Sequence, residues 1–205
     1  MTTIQKNKER ICELLRSTGR EGIEGVIAEL EKGGFFTAPA SCRHHLNNRG
    51  GLAEHSLKVY SAAKEIQSMI QRLRPEMSAK IYDDSIVLAS LLHDVCKMEI
   101  YKEATVCKQV THHDTVCERR FVIDNSEFPA GHGEKSVILL LMWGLKLTRD
   151  EILAIRWHMT AWDVAFQSIE QTKSLQKARE TTPLCYVVQC ADSLASGILE
   201  SKIAV

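Results

Sequence analysis

Ile86-Val87-Leu88-Ala89-Ser90-Leu91-Leu92 carries one polar side chain, and the next two positions are His93 and Asp94. Read as a helix capped by Asp83-Asp84-Ser85, this run is apolar nearly all round and has no face to turn to water. Such a helix belongs in the middle of a core, with other elements packed about it. At its C-terminal end it also carries an imidazole and a carboxylate into that core. Buried polar and charged groups must be paired or bind a metal, so the rest of the chain has to supply their partners.

Helical periodicity supplies the packing. Ile4, Ile11, Leu14 and Leu15 predict a helix over Ile4 to Arg16, stopped by Gly19, and Ile23, Val26, Ile27 and Leu30 predict a second over Glu21 to Lys32. Phe35 to Gly51 has no period and reads as a long loop, a kind that is usually functional in compact domains. Leu52 to Leu73 is amphipathic through Leu57, Tyr60, Ile66, Ile70 and Leu73. Further helices are expected over Glu134 to Leu145, Thr148 to His158, Ser168 to Glu180 and Pro183 to Ile203. Alternation in Glu118 to Asp124 predicts a short strand, half of a hairpin. At 205 residues the chain has room for one core. The expected fold is a single all-α helical bundle over 1–205, with its N-terminal helices in 1–34 and at most one small β-hairpin in 97–130.

Composition excludes some classes. Lys and Arg number 26 against 26 Asp and Glu, which argues against a general nucleic-acid coat while leaving room for a local basic groove. The longest apolar run, Val137 to Trp143, is too short to span a membrane. The N-terminal residues lead into no hydrophobic stretch, so no secretory signal is expected and the cytoplasm is the expected compartment. The seven cysteines show no CxxC pair and read as reduced, mostly buried thiols.

The eight histidines are not scattered at random over the helices. His55 lies in the first turns of a long helix, His132 stands between two glycines before another, and His158 ends a third. Asp192 lies within the last. A single buried histidine is more often a satisfied core residue, but imidazoles and carboxylates converging from four or more elements make a donor set suited to a divalent transition ion.

The order His55, His93-Asp94, His132, His158, Asp192 resembles the H…HD…H…H…D pattern of the HD-domain superfamily of metal-dependent phosphohydrolases, over roughly 46–195. The local contexts are more specific than the His-Asp dipeptide. Gly50-Gly51-Leu52-Ala53-Glu54-His55-Ser56-Leu57 resembles the helix start of its 3′–5′ exoribonuclease branch. Leu91 to Lys97, Gly131 to Ser136 and Cys190-Ala191-Asp192 resemble other motifs of the superfamily. Trp157-His158 departs from the His-His pair of many members and argues against the cyclic-dinucleotide branch. No added nucleic-acid-binding domain is expected at this length.

The resemblance implies that His55, His93, Asp94 and Asp192 hold one metal, and that Asp94 bridges to a second held by His132 and His158. Two divalent ions (Mn, Fe, Ni, Co, Zn or Mg) about 3.5–4 Å apart would clamp the oxygens of a phosphoryl transfer and supply a hydroxide from a water between them. Asp94 and Lys97 are the expected catalytic residues. Lys97, His44, His45, Arg49 and Trp162 are the expected substrate contacts, Lys97 reaching towards a phosphate and the Trp162 indole stacking on a base. Asp163 could shape the same rim, and Glu54 or Glu134 could orient an imidazole. His112-His113-Asp114, a second His-Asp dipeptide in polar surroundings, reads as a surface turn. The expected substrate is a small phosphorylated compound of nucleotide type. The alternatives are short single-stranded RNA, a non-catalytic metal- or nucleotide-binding regulatory module, and di-iron oxygenase chemistry. No membrane partner is expected.

Overall fold

The computed structural model describes residues 1–110 and 114–201. In order it has α1 (Thr3–Ser17), α2 (Ile23–Lys32), a long loop, α3 (Gly51–Leu73), the single turn α4 (Pro75–Ser78), α5 (Asp83–Leu92) and the short α6 (Lys97–Ile100). An antiparallel hairpin follows, β1 (Tyr101–Gln109) and β2 (Thr115–Ile123), then α7 (His132–Met142) and α8 (Arg149–Arg156). After a 3-10 turn at Thr160–Asp163 come α9 (Ile169–Thr181) and α10 (Pro183–Leu194), which runs into a π-helical turn at Ala195–Leu199. The expected helical fold holds, with one hairpin in the expected region. The last helix is shorter than expected: it leaves α geometry at Leu194, and Ile203 lies outside the described residues.

Helix α5 is the axis. Every residue from Ser85 to Leu92 is buried, and α1, α3, α8 and α10 pack around it. Ile86, Leu88, Leu91 and Leu92 are fully buried, each contributing roughly 1.5–3 kcal/mol. The expected cap is not formed: Tyr82 holds the N-cap position without a side-chain bond. Asp83 instead accepts from Lys64 and Gln67 of α3 at 2.7 and 2.9 Å, and Ser85 donates to Glu151 of α8 at 2.7 Å. Acidic residues in the first turn still complement the helix dipole, but the bonding partners of Asp83 are tertiary.

Glu151 ties three elements together. It completes a capping box with Thr148 at the start of α8, takes a two-pronged bond from Arg20 at 2.7 and 2.8 Å, and is itself fully buried. Two glycines permit close approaches that matter for the site. A Cβ on Gly133 would lie 2.3 Å from the Arg156 carbonyl oxygen, and one on Gly51 2.1 Å from that of Leu46. The first contact sets α7 against the end of α8, and the second sets α3 against the long loop.

The hairpin pairs Tyr101 with Ile123 through to Gln109 with Thr115. In that register Cys107 faces Cys117, and the two form a disulfide. This corrects the expectation of reduced thiols: cross-strand pairing, which no cysteine spacing announces, brings them together. Cys12, Cys96 and Cys185 are buried free thiols, Cys42 is half-buried and Cys190 exposed. Of His112-His113-Asp114, the two histidines lie outside the described residues. Among the described residues, no helix is long and apolar enough to cross a membrane.

Candidate metal centre

His93 and His158 are presented by the same local device. Each stands just past or near the end of a helix, and its Nδ1 donates to a carbonyl three residues back: His93 to Ser90 at 2.9 Å, His158 to Ile155 at 2.7 Å. A carbonyl only accepts, so Nδ1 carries the proton and Nε2 keeps its lone pair. Both Nε2 atoms then point at Asp94, from 3.2 and 3.3 Å.

Asp94 divides its two oxygens. Oδ2 faces His93, and His55 at 3.5 Å; Oδ1 faces His158, and His132 at 2.8 Å. Asp192 closes the first group, with Oδ1 3.3 Å from His55 Nε2 and 4.0 Å from His93 Nε2. The donor atoms form overlapping clusters, His55–His93–Asp94, His93–His158–Asp192 and Asp94–His132–His158. Five helices or their ends supply these ligands, and the glycine contact at Gly133 is what lets His132 approach His158, ring centres 5.9 Å apart.

Glu200 was not foreseen. It is buried and accepts from His55 Nδ1 at 3.0 Å, which turns His55 Nε2 towards Asp94 and Asp192. It stands 145 residues away in sequence, just after the π-helical turn, and no motif spacing marks it. Glu54 and Glu134, the expected orienting carboxylates, do not serve: Glu54 pairs with Lys58 at 2.8 Å and Glu134 is exposed.

The electrostatics are those of a concentrated charge cluster. Burial opposes charge on Asp94, yet Lys97 and His93 beside it hold its carboxyl well below the usual range. Asp192 is likewise depressed, its burial outweighed by His55 and His93. Burial pulls His55 down, but Asp192, Asp94 and Glu200 push it up to about 10. His132 rises to about 10 against its burial, through Cys96 and Asp94. His93 goes the other way, lowered by complete burial.

The Nε2 atoms of His55, His93 and His158 are buried and complete no hydrogen bond. Unpaired buried polar atoms are rare and need a reason. Three of them around one carboxylate, with Asp192 alongside, fit divalent metal by donor type and by convergence.

A cavity of about 680 Å³ opens on this cluster, lined by His158, Asp192 and Lys97, with His44, His45 and Trp162 in its walls. Lys97 is buried and pairs with Asp94 Oδ2, which holds its amine well above its usual range despite burial. Trp162 is 88% exposed. His45 is lowered by burial, and its ring centre lies 5.2 Å from that of His55. Arg49 is not brought to the cavity: its guanidinium pairs with Glu103 on β1 at 2.7 Å, because the hairpin base lies beside the loop. Asp163 takes a structural post instead, accepting from the His132 and Gly133 amides at 3.1 and 3.3 Å and from Arg156 at 2.6 Å. It thereby caps α7 and steadies His132. Ser136 does similar work, accepting from the Cys96 amide at 3.3 Å and joining α7 to the turn after Asp94.

No curated protein and no solved structure matches the chain. A match to the HD-domain family spans residues 52–197, well over half of the sequence and a stretch that holds every clustered ligand from His55 to Asp192. The chain therefore belongs to the HD-domain family, whose members are generally metal-dependent hydrolases.

Proposed function

We propose that this protein hydrolyses a phosphoester or phosphoanhydride in a nucleotide-type substrate, with one divalent ion held by His55, His93, Asp94 and Asp192 and a second by Asp94, His132 and His158. The observation that carries this reading is the division of Asp94, whose two oxygens face two separate sets of histidines. When bound, such ions supply Lewis acidity and a water that ionises near neutral pH. The chain's own residues do the rest. His93 and His158, fixed by carbonyls, present lone pairs without needing to turn. Glu200 holds His55 by Nδ1 with Nε2 aimed at Asp94 and Asp192, where an ion, when bound, would take the place of the Nε2 proton. Lys97 keeps a full positive charge at the cavity wall, where it meets charge developing on phosphoryl oxygens. The Trp162 indole offers a face for a base at the mouth.

Turnover of a panel of nucleotides and model phosphodiesters by the metal-loaded chain tests this, together with Asp94→Ala. The variant should lose both activity and bound metal while keeping its helical circular dichroism. Retained turnover in the variant would sink the proposal. Short single-stranded RNA is the second reading, favoured by the Gly50 to Leu57 segment; a strongly salt-dependent affinity would single it out.

A further inference from the structure

Strand β2 pairs with β1 along its whole length, and among the described residues no strand lies along its other edge. The bonds that close the ladder at each end set its phase. The Val110 amide donates to the Asp114 carbonyl at 2.9 Å, and the Asp124 amide to the Ile100 carbonyl at 2.8 Å. Bonded and unbonded pairs alternate in an antiparallel ladder, so the even-numbered residues of β2 bond β1. Thr115, Cys117, Arg119, Phe121 and Ile123 therefore turn their amides and carbonyls outwards. A two-stranded hairpin is marginal by itself, whereas three or more strands make a stable sheet. Here the Cys107–Cys117 bond staples the two strands, and β1 meets the helices chiefly at the hairpin base, through α6. An open cleft separates the β2 edge at Arg120 to Ile123 from the loop at Ser41 to His44, which leaves room beside it.

The side chains say what fits this edge. Val116, Glu118, Arg120 and Val122 share one face of β2, and their pattern is its own complement. A second β2 laid antiparallel about a two-fold axis at Arg119, the midpoint of Thr115–Ile123, sets Glu118 opposite Arg120 of the second copy. It also sets Val116 opposite Val122, and symmetry repeats each pair. Opposite charges and packed β-branched residues facing across strands stabilise a sheet. This register matches odd residues with odd ones, as the outward phase requires, and overlaps the whole strand. Within one chain the Glu118–Arg120 contact is long, 3.4 Å, and exposed, so little is lost in exchanging it. On the other face Cys117 meets Phe121. Arg119 meets its own copy, but each Arg119 is paired with Glu103 of its own β1 at 3.0 Å. The β1 edge lacks such a match. The same operation about its midpoint, Thr105, would set Lys102 against Lys108, and lysines placed so blunt an edge.

We propose that the outer edge of β2 is the interface for a second copy of this chain, the two hairpins joining through β2 into one four-stranded sheet. The contact is isologous and closes on itself as a dimer. Its five outward residues provide about ten main-chain bonds, close to the number in a typical protein interface. The interface does not depend on the hydrolase reading.

Sedimentation velocity over a concentration series, in non-reducing buffer, tests it with wild type, Glu118→Arg, Arg120→Glu, the double swap and Arg119→Pro. Wild type should pass from monomer to dimer as concentration rises. Each single swap sets like charges opposite each other and should raise the dissociation constant about tenfold. The double swap restores opposite charges and should return it to within about threefold of wild type. Arg119→Pro removes an outward amide and none of the hairpin's own bonds, and should weaken the dimer by about tenfold. Helical circular dichroism, and a Cys107–Cys117 bond found intact by mass spectrometry, report that each variant keeps its fold. A wild type that stays monomeric throughout overturns the proposal. So does a dimer that the single swaps or Arg119→Pro leave unchanged, or a double swap that dimerises no more tightly than the single ones.

Discussion

A carboxylate has two oxygens, and those of Asp94 look at different histidines. Everything at the centre follows from which nitrogen each histidine can offer. His93 and His158 owe their orientation to carbonyls on their own helices, so they are set locally. His55 owes its orientation to Glu200, so it is set by the tertiary fold. Replacing Glu200 with Gln removes the charge that favours Nδ1–H and lets the amide donate instead of accept. Metal affinity measured by isothermal titration should fall about 10–100-fold, with the helical content unchanged. Equal affinity in wild type and variant would show that His55 does not depend on its partner.

At the scale of elements, two contacts hold the ligand-bearing helices in register. Gly133 lets α7 touch the end of α8, and a methyl group there would meet the Arg156 carbonyl oxygen at 2.3 Å. Gly133→Ala should destabilise the fold by about 1–3 kcal/mol in urea unfolding, and should weaken the metal group containing His132 more than the one containing His55. The second contact is Arg20–Glu151, which ties the α1–α2 connection and α5 to α8. Burial raises the Glu151 carboxyl, but Arg20, Ser85 and the Thr148 amide outweigh it and leave it below its usual 4.5. A depressed folded pKa means the stabilisation is fully present above about pH 4.5 and is lost as pH falls through the lower folded value. Glu151→Gln should therefore cost about 3 kcal/mol at pH 7. The gap between variant and wild type should close as unfolding is measured down towards pH 3, and a constant gap would contradict the assignment.

At the scale of the molecule, five helices or their ends converge on one buried cluster of charge and lone pairs. An ion that binds there binds the folded chain and not the unfolded one. Saturating manganese at about 100 times its dissociation constant should add about 2.7 kcal/mol. For a domain of this size that raises Tm by roughly 5–10 °C, and a chelator should reverse it. A melting curve indifferent to manganese would mean that the cluster is only a polar core.

The helices, the central place of α5 and the inward residues of the metal centre could be read from the chain, because apolar periodicity reports burial directly and a histidine among apolar neighbours has nowhere else to point. The order His55, His93-Asp94, His132, His158, Asp192 stood out as a candidate ligand set through its resemblance to the HD-domain pattern, and these residues do converge. Glu200, the Asp163 cap on α7, the Arg49–Glu103 pair and the Cys107–Cys117 bond were not. Each is a contact between segments far apart or in opposed strands, where distance in sequence carries no information about distance in space. Periodicity decides which faces are buried. Only the packing of helices and the register of the hairpin decide which side chains meet, and so which nitrogen of His55 is left free to hold a metal.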